Sequence, residues 1–290
     1  MGLNSEISST SPIGVFDSGL GGLTVLRSLH RRLPCEDIIY FGDTARVPYG
    51  TKGESTVRAF ARQDAGLLVE KGVKLVVVAC NTASAFALEH LRQTLPVPVL
   101  GVIEPGVAAA LEATRGGVVG VIGTSGTIRS GRYQEGLLAG GLGDEQIMAM
   151  ECPLFVPLVE EDKMGQTLMQ LAVQEYLQPL KDAGVDTLIL GCTHYPLLKE
   201  DIGTFMGPDT VLVDSADMLA EAAVVMLREE KLLRGQPNSR KGELDFYLSD
   251  LPWKFAQIGE RFLGRPIADA TIVGLDEMEA AGNKHEGERT

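Results

Sequence analysis

Short apolar runs alternate with helix-length segments along the first hundred residues of this chain: 13–16 then 20–33, 37–41, 55–71 then 75–79, and 83–93 then 97–102. Runs this short and this apolar suit strands buried on both faces, and each intervening segment is long enough to carry the chain back to the start of the next strand. The rhythm predicts an α/β fold built on a mainly parallel sheet.

The pattern then recurs. I-G-V-F-D-S-G at 13–19 parallels V-G-V-I-G-T-S-G at 119–126, aligning Gly14 with Gly120 and Ser18 with Thr124. K-G-V-K-L-V-V-V-A-C-N-T at 71–82 parallels A-G-V-D-T-L-I-L-G-C-T-H at 183–194, aligning Cys80 with Cys192. Two matches at nearly the same offset predict two similar α/β domains related by a pseudo-two-fold axis, with the active site at their interface. The second unit, 104–213, is read as an insertion in the first, 1–103 plus 214–290. Residues 242–275 complete the first unit, with a helix over 255–264. The charged and small residues from Glu279 onward are expected to be disordered.

Bulk properties narrow the function. Thirty-nine acidic against 26 basic residues leave a net charge of −13, which repels a phosphate backbone and argues against nucleic acid as a partner. Residues 1–12 are polar and Ser-rich, without a signal-peptide pattern, and no apolar run approaches the roughly 20 residues of a membrane helix. A cytoplasmic protein with no membrane partner is expected. In that reducing setting the four cysteines are read as free thiols, some of them kept for reactivity.

Ligands of open α/β sheets bind beyond the carboxyl ends of the strands, where A-C-N-T-A-S (79–84) and G-C-T-H-Y-P (191–196) both fall. A helix N-terminus beside each cysteine is expected to lower its thiol pKa toward neutrality. A single buried cysteine is more often packing than chemistry, but two at equivalent ends of a duplicated unit can face each other across the interface. Cys35 and Cys152 lack that setting and are read as structural. His194, two residues past Cys192, is the histidine placed for catalysis; without further ligands at suitable spacing it does not make a metal site. Glu160, after the apolar stretch 155–159, is either a partner of tuned pKa or a surface charge, and spacing alone favours the surface. The turn D-S-G-L-G-G at 17–22 is either an anion cradle or a tight turn in which Asp17 or Ser18 caps the next helix; it is neither G-x-G-x-x-G nor a P-loop.

I-G-V-F-D-S-G-L-G-G-L-T-V (13–25), Y-F-G-D-T-A-R-V-P-Y-G (40–50), C-N-T-A-S (80–84), G-V-I-E-P-G (101–106), P-L-V-E-E (157–161) and G-C-T-H-Y-P (191–196) together resemble the glutamate racemases of the aspartate/glutamate racemase superfamily, over about residues 13 to 264. The resemblance implies interconversion of L- and D-glutamate without pyridoxal phosphate, other cofactor or metal, supplying D-glutamate for peptidoglycan. It implies that Cys80 deprotonates D-glutamate with help from Asp17, and Cys192 L-glutamate with help from His194 and Glu160. It places substrate contacts at Asp17, Ser18, Tyr49, Gly50, Asn81, Thr82, Thr193 and His194, to which the internal repeat adds Thr124. A homodimer is implied by the family alone.

Asp162 departs from the family pattern, which continues P-L-V-E-E with glycine. The short segment before the first strand favours an enzyme that needs no peptidoglycan-precursor activator. Two rival readings share the motifs: an aspartate or broad-specificity racemase, and a ligand-binding or regulatory relative without turnover. Turnover of glutamate against aspartate separates the first, and the intact set Asp17, Cys80, Glu160, Cys192 and His194 speaks against the second.

Overall fold

The computed structural model describes residues 7–235, 240–253, 255–267 and 269–284. Among the described residues ten strands run in chain order: β1 (Ile13–Asp17), β2 (Ile38–Gly42), β3 (Leu75–Val78), β4 (Val99–Gly101), β5 (Val118–Gly123), β6 (Ile147–Glu151), β7 (Val185–Gly191), β8 (Val211–Val213), β9 (Leu244–Leu248) and β10 (Thr271–Ile272). They form two sheets, one ordered β10-β9-β2-β1-β3-β4 and the other β6-β5-β7-β8. Every pairing is parallel.

The expected duplication is visible in the strand order. The run β2-β1-β3-β4 has the same connectivity as β6-β5-β7-β8, so β1 corresponds to β5 and β3 to β7. Gly14 and Gly120 therefore hold equivalent places in the two sheets. Cys80 and Cys192 follow equivalent strands.

Every residue of β1, β2 and β3 is buried, which explains why these strands read as apolar runs instead of alternating. The helix Leu23–Arg32 covers one face with Leu23, Leu26 and Leu29, all fully buried. Each such leucine contributes roughly 1.5–3 kcal/mol through burial. The core on this face is continuous between lobes: Val15 and Val77 belong to one apolar cluster with Val121 and Leu188. The helix Ser215–Glu229 packs on the helix Leu23–Arg32 within the first unit, where Ser28 Oγ donates to Asp217 Oδ1 at 2.6 Å and Arg32 pairs with Glu221.

On the opposite face lie the helices Glu54–Glu70, Asn81–Thr94 and Leu275–Lys284. The last of these corrects the expectation of disorder from Glu279. Met278 and Ala281 are fully buried, and Gly66 and Gly282 let this helix approach Glu54–Glu70 closely. Composition hid this because the docked stripe is narrow and set among charged residues. Residues 285–290, including His285, lie outside the described residues. Among the described residues no helix is long and apolar enough to cross a membrane.

Candidate active site

The carboxyl ends of β1, β3, β5 and β7 converge on one cleft, as strand ends do in open α/β sheets. Asp17 is the last residue of β1 and is completely buried. Its Oδ2 accepts from the Gly19 amide at 3.0 Å, while Oδ1 has no hydrogen-bond partner. The D-S-G-L-G-G turn is thus organised by Asp17 but does not cap the following helix. The residue at the helix N-cap is Gly22, with no side-chain bond to the first turn.

Cys80 is the N-cap of Asn81–Thr94; its Sγ accepts from the Ala83 amide at 3.5 Å and donates to Ser18 Oγ at 3.6 Å. The expectation of a lowered thiol pKa fails here. Burial, reinforced by the Asp17 charge, outweighs the Ala83 and Ser18 bonds and pushes the Cys80 thiol up to about 12. A buried anion in an apolar setting costs more than one helix terminus returns. Asp17 itself is raised by burial, against the opposing effects of the His194 charge and backbone amides.

Cys192 follows β7 directly, but the chain then enters a short 3-10 turn, Tyr195–Leu198, with Pro196 in it, before the helix Lys199–Met206. No α-helix starts at Cys192, so the dipole argument does not transfer. Its neighbour is His194 instead, whose Nδ1 stands 3.9 Å from Cys192 Sγ and whose Nε2 lies 3.0 Å from Glu160 Oε1. Burial lowers the His194 pKa, but the bonds to Cys192 and Glu160 overcome it and the ring is raised to about 10. His194 is therefore a cation at neutral pH. Glu160 ends the helix Phe155–Glu160 and, though half-exposed, is aimed at the ring; the surface reading favoured by spacing is set aside.

The two lobes touch through small residues and hydroxyls. A Cβ on Gly21 would collide with Thr193 Oγ1 and come within 2.5 Å of His194 Nδ1. A Cβ on Gly50 would come within 2.6 Å of Thr124 Cβ. Thr82 from the first lobe joins Thr124 and Thr127 of the second in a triangle of hydroxyls 2.9–3.1 Å apart. Thr193 presents its carbonyl to Thr24 Oγ1 at 3.1 Å. The two thiols are near enough that Cys192 contributes to raising Cys80.

Tyr49 is placed differently from the other expected contacts. Its hydroxyl is buried in the first lobe, bonded to Asp43 and, at 2.8 Å, to Asp64 Oδ2. Asp162 has a left-handed backbone, φ 57°, which accounts for glycine in the family pattern at this point. It instead pairs with Arg261 at 2.8 Å, on the helix whose Phe262 packs edge-on against His194.

Sequence reasoning missed Thr24, Thr127, Tyr133 and Ser215. Thr127 had a signal, the three-residue spacing from Thr124 of a helix N-cap pair, realised as a bond from the Thr127 amide to Thr124 Oγ1. Tyr133 and Ser215 lie far from every motif and had none. Among the described residues no group of three or more His, Cys, Asp or Glu could hold a metal ion.

Duplicated α/β lobes bring two buried thiols, each near a carboxylate, to one junction, an arrangement suited to the chemistry of a racemase. The chain belongs to the Asp/Glu/hydantoin racemase family, whose sequence profile matches residues 13–223. It is 51% identical to the glutamate racemase of Geobacter metallireducens over 91% of this chain and 97% of that one. The glutamate racemase of Thermus thermophilus, solved with β-chloro-D-alanine, superposes with a TM-score of 0.82 at 44% identity, covering 93% of this chain and 99% of that one. The enzyme of Francisella tularensis, solved with D-glutamate, gives 0.84 at 39% identity over 92% and 99%.

Proposed function

We infer that this protein interconverts L- and D-glutamate by moving a proton on one face of Cα and returning one on the other, and so supplies D-glutamate for peptidoglycan. The observation that carries this is the pair Cys80 and Cys192 at equivalent strand ends of a duplicated fold. The chain's similarity to glutamate racemases along nearly its whole length supports the substrate.

Inversion needs two groups, because a single base tends to return the proton it removed. In the proposed reaction Cys192 takes the α-proton of L-glutamate and the protonated Cys80 delivers one to the opposite face; D-glutamate reacts in reverse. His194, held charged by Glu160, exchanges protons with Cys192, and Asp17 does so with Cys80. The carbanion forms in a cleft closed to water, where Ser18, Asn81, Thr82, Thr124, Thr193 and backbone amides at Gly50 are positioned to hold the substrate. The proposed working halves are 1–103 plus 214–290 and 104–213, each contributing one thiol. A cytoplasmic homodimer is the proposed state of the enzyme, checked by sedimentation velocity.

The test is circular dichroism of the protein with L-glutamate in D₂O, following deuterium at Cα, beside Cys80→Ala and Cys192→Ala. Loss of optical activity that either substitution abolishes supports the reading. Turnover of aspartate and not glutamate would move the chain to the rival racemase; no turnover of either would favour a binding protein.

A further inference from the structure

Tyr133 comes from the second lobe, on the helix Arg132–Ala139, and is fully buried although no motif contains it. Its hydroxyl donates to Asn81 Oδ1 at 2.7 Å, across the lobe junction and next to Cys80. Behind it Ser215 Oγ stands 3.4 Å away, at the start of the helix Ser215–Glu229, and can donate to the phenol oxygen. The ring is held between two glycines. A Cβ on Gly191, the residue before Cys192, would come within 3.2 Å of Tyr133 Cε2. A Cβ on Gly106 would come within 2.7 Å of Ser215 Oγ and 3.3 Å of Tyr133 Cε1. The second glycine closes the G-V-I-E-P-G motif, for which the site had offered no use.

One buried side chain therefore touches the neighbours of both thiols. The bond also sets the amide: with Oδ1 occupied by a phenol proton, Asn81 must turn Nδ2, a donor of two hydrogens, the other way. No acceptor among the described residues engages that nitrogen.

We propose that Tyr133 is a positioning residue for racemisation, fixing the Asn81 amide so that its N–H groups face the substrate beside Cys80 while its ring sets the approach of the Cys192 strand. This rests on the racemase reading above. Asn81 touches the substrate; Tyr133 acts through it. A donor aimed at developing negative charge is worth most when it needs no reorientation, and a free amide would spend part of its time presenting an oxygen to a carboxylate.

The experiment is a double-mutant cycle on glutamate racemisation with Tyr133→Phe, Asn81→Ala and the pair. Tyr133→Phe keeps the ring between its glycines, and unchanged thermal melting establishes that the fold is kept. The expected loss in kcat/KM is about 10- to 100-fold, in the range caused by small misplacements of reacting groups. In the Asn81→Ala background the same change should cost nothing further. Because the enantiomers are of equal free energy, kcat/KM must fall equally in both directions. The primary isotope effect with Cα-deuterated substrate need not: with the Cys80 step made more rate-limiting, it should rise for D-glutamate, whose proton Cys80 takes, and fall for L-glutamate. Should Tyr133→Phe fail to fold, Ser215→Ala replaces it, with an expected loss of about threefold, likewise absorbed by Asn81→Ala. Wild-type activity in the folded single variant, or a loss fully additive with Asn81→Ala, overturns the proposal while leaving the racemase reading standing. Absence of turnover by the wild-type protein overturns both.

Discussion

His194 Nε2 lies 3.0 Å from Glu160 Oε1, and this bond turns the opposite ring nitrogen toward Cys192. A carboxylate on one side of an imidazole and a thiol on the other fixes the ring plane and raises its pKa, so the acid/base character of the Cys192 side depends on a residue thirty-four positions from His194.

Glu160→Gln tests that dependence. The amide keeps a bond to the ring but removes the charge, so the His194 pKa should fall from about 10 toward its ordinary 6.5. Turnover at pH 8 should drop about tenfold, and the basic limb of the pH profile of kcat/KM should move to lower pH. An unmoved limb would mean that another group sets it.

The same shift makes stability depend on pH. The folded pKa of His194 lies above its unfolded value, so between about pH 6.5 and 10 the native state holds a proton that the unfolded chain has released. Stabilisation is complete below pH 6.5 and declines with rising pH across that window. Cys80 acts with the same sign from its ordinary 9.0 up to about 12. Urea denaturation between pH 6 and 10 should show the decline in wild type and a flatter curve in His194→Asn.

Asp17 is a fully buried carboxylate with one oxygen unpartnered, an arrangement that costs stability, and the proposed reaction gives it a proton-exchange role with Cys80. Asp17→Asn should raise Tm by about 2–4 °C, equivalent to roughly 1 kcal/mol in a chain of this size, while lowering racemisation at least about tenfold. Calorimetry reading a lower Tm would show that the carboxylate contributes to stability after all.

Gly21 has no room for a methyl group against Thr193 and His194. Gly21→Ala should displace the Cys192 loop and cost about 100-fold in kcat/KM. Gly203→Ala, where the nearest neighbouring atom would be 3.7 Å away, is the matched control and should leave activity unchanged. Equal kinetics in the two variants would show that the lobes separate readily at this point.

Beneath Tyr49 two buried carboxylates, Asp43 and Asp64, share one cation, Arg46, at 2.7 and 2.9 Å. Burial and the Asp43 charge push the Asp64 carboxyl well above its ordinary value. Asp64→Asn should be nearly neutral to stability at pH 7, whereas Arg46→Met should cost about 3–5 kcal/mol by stranding a buried charge. Chemical denaturation of the two variants distinguishes them.

How much of this was legible beforehand differs by element. The parallel sheets were readable because strands buried on both faces must be apolar throughout, as 75–78 is. The duplication was readable because Gly14 with Gly120 and Cys80 with Cys192 keep their spacing to the strands that carry them. The helix Leu275–Lys284 was missed because its docking depends on a close approach between Gly66 of another helix and its own Gly282, a long-range contact that its charged composition does not announce.

By itself the sequence determined the α/β rhythm, the repeat and the identity of the two cysteines, since these are properties of local spacing. Only the tertiary structure decided which way the Tyr49 hydroxyl points, that Glu160 reaches His194, that Cys80 is raised and not lowered, and that Tyr133 joins Asn81. Each of those depends on burial or on a contact between distant segments, and neither desolvation nor a long-range hydrogen bond leaves a periodic trace in the chain.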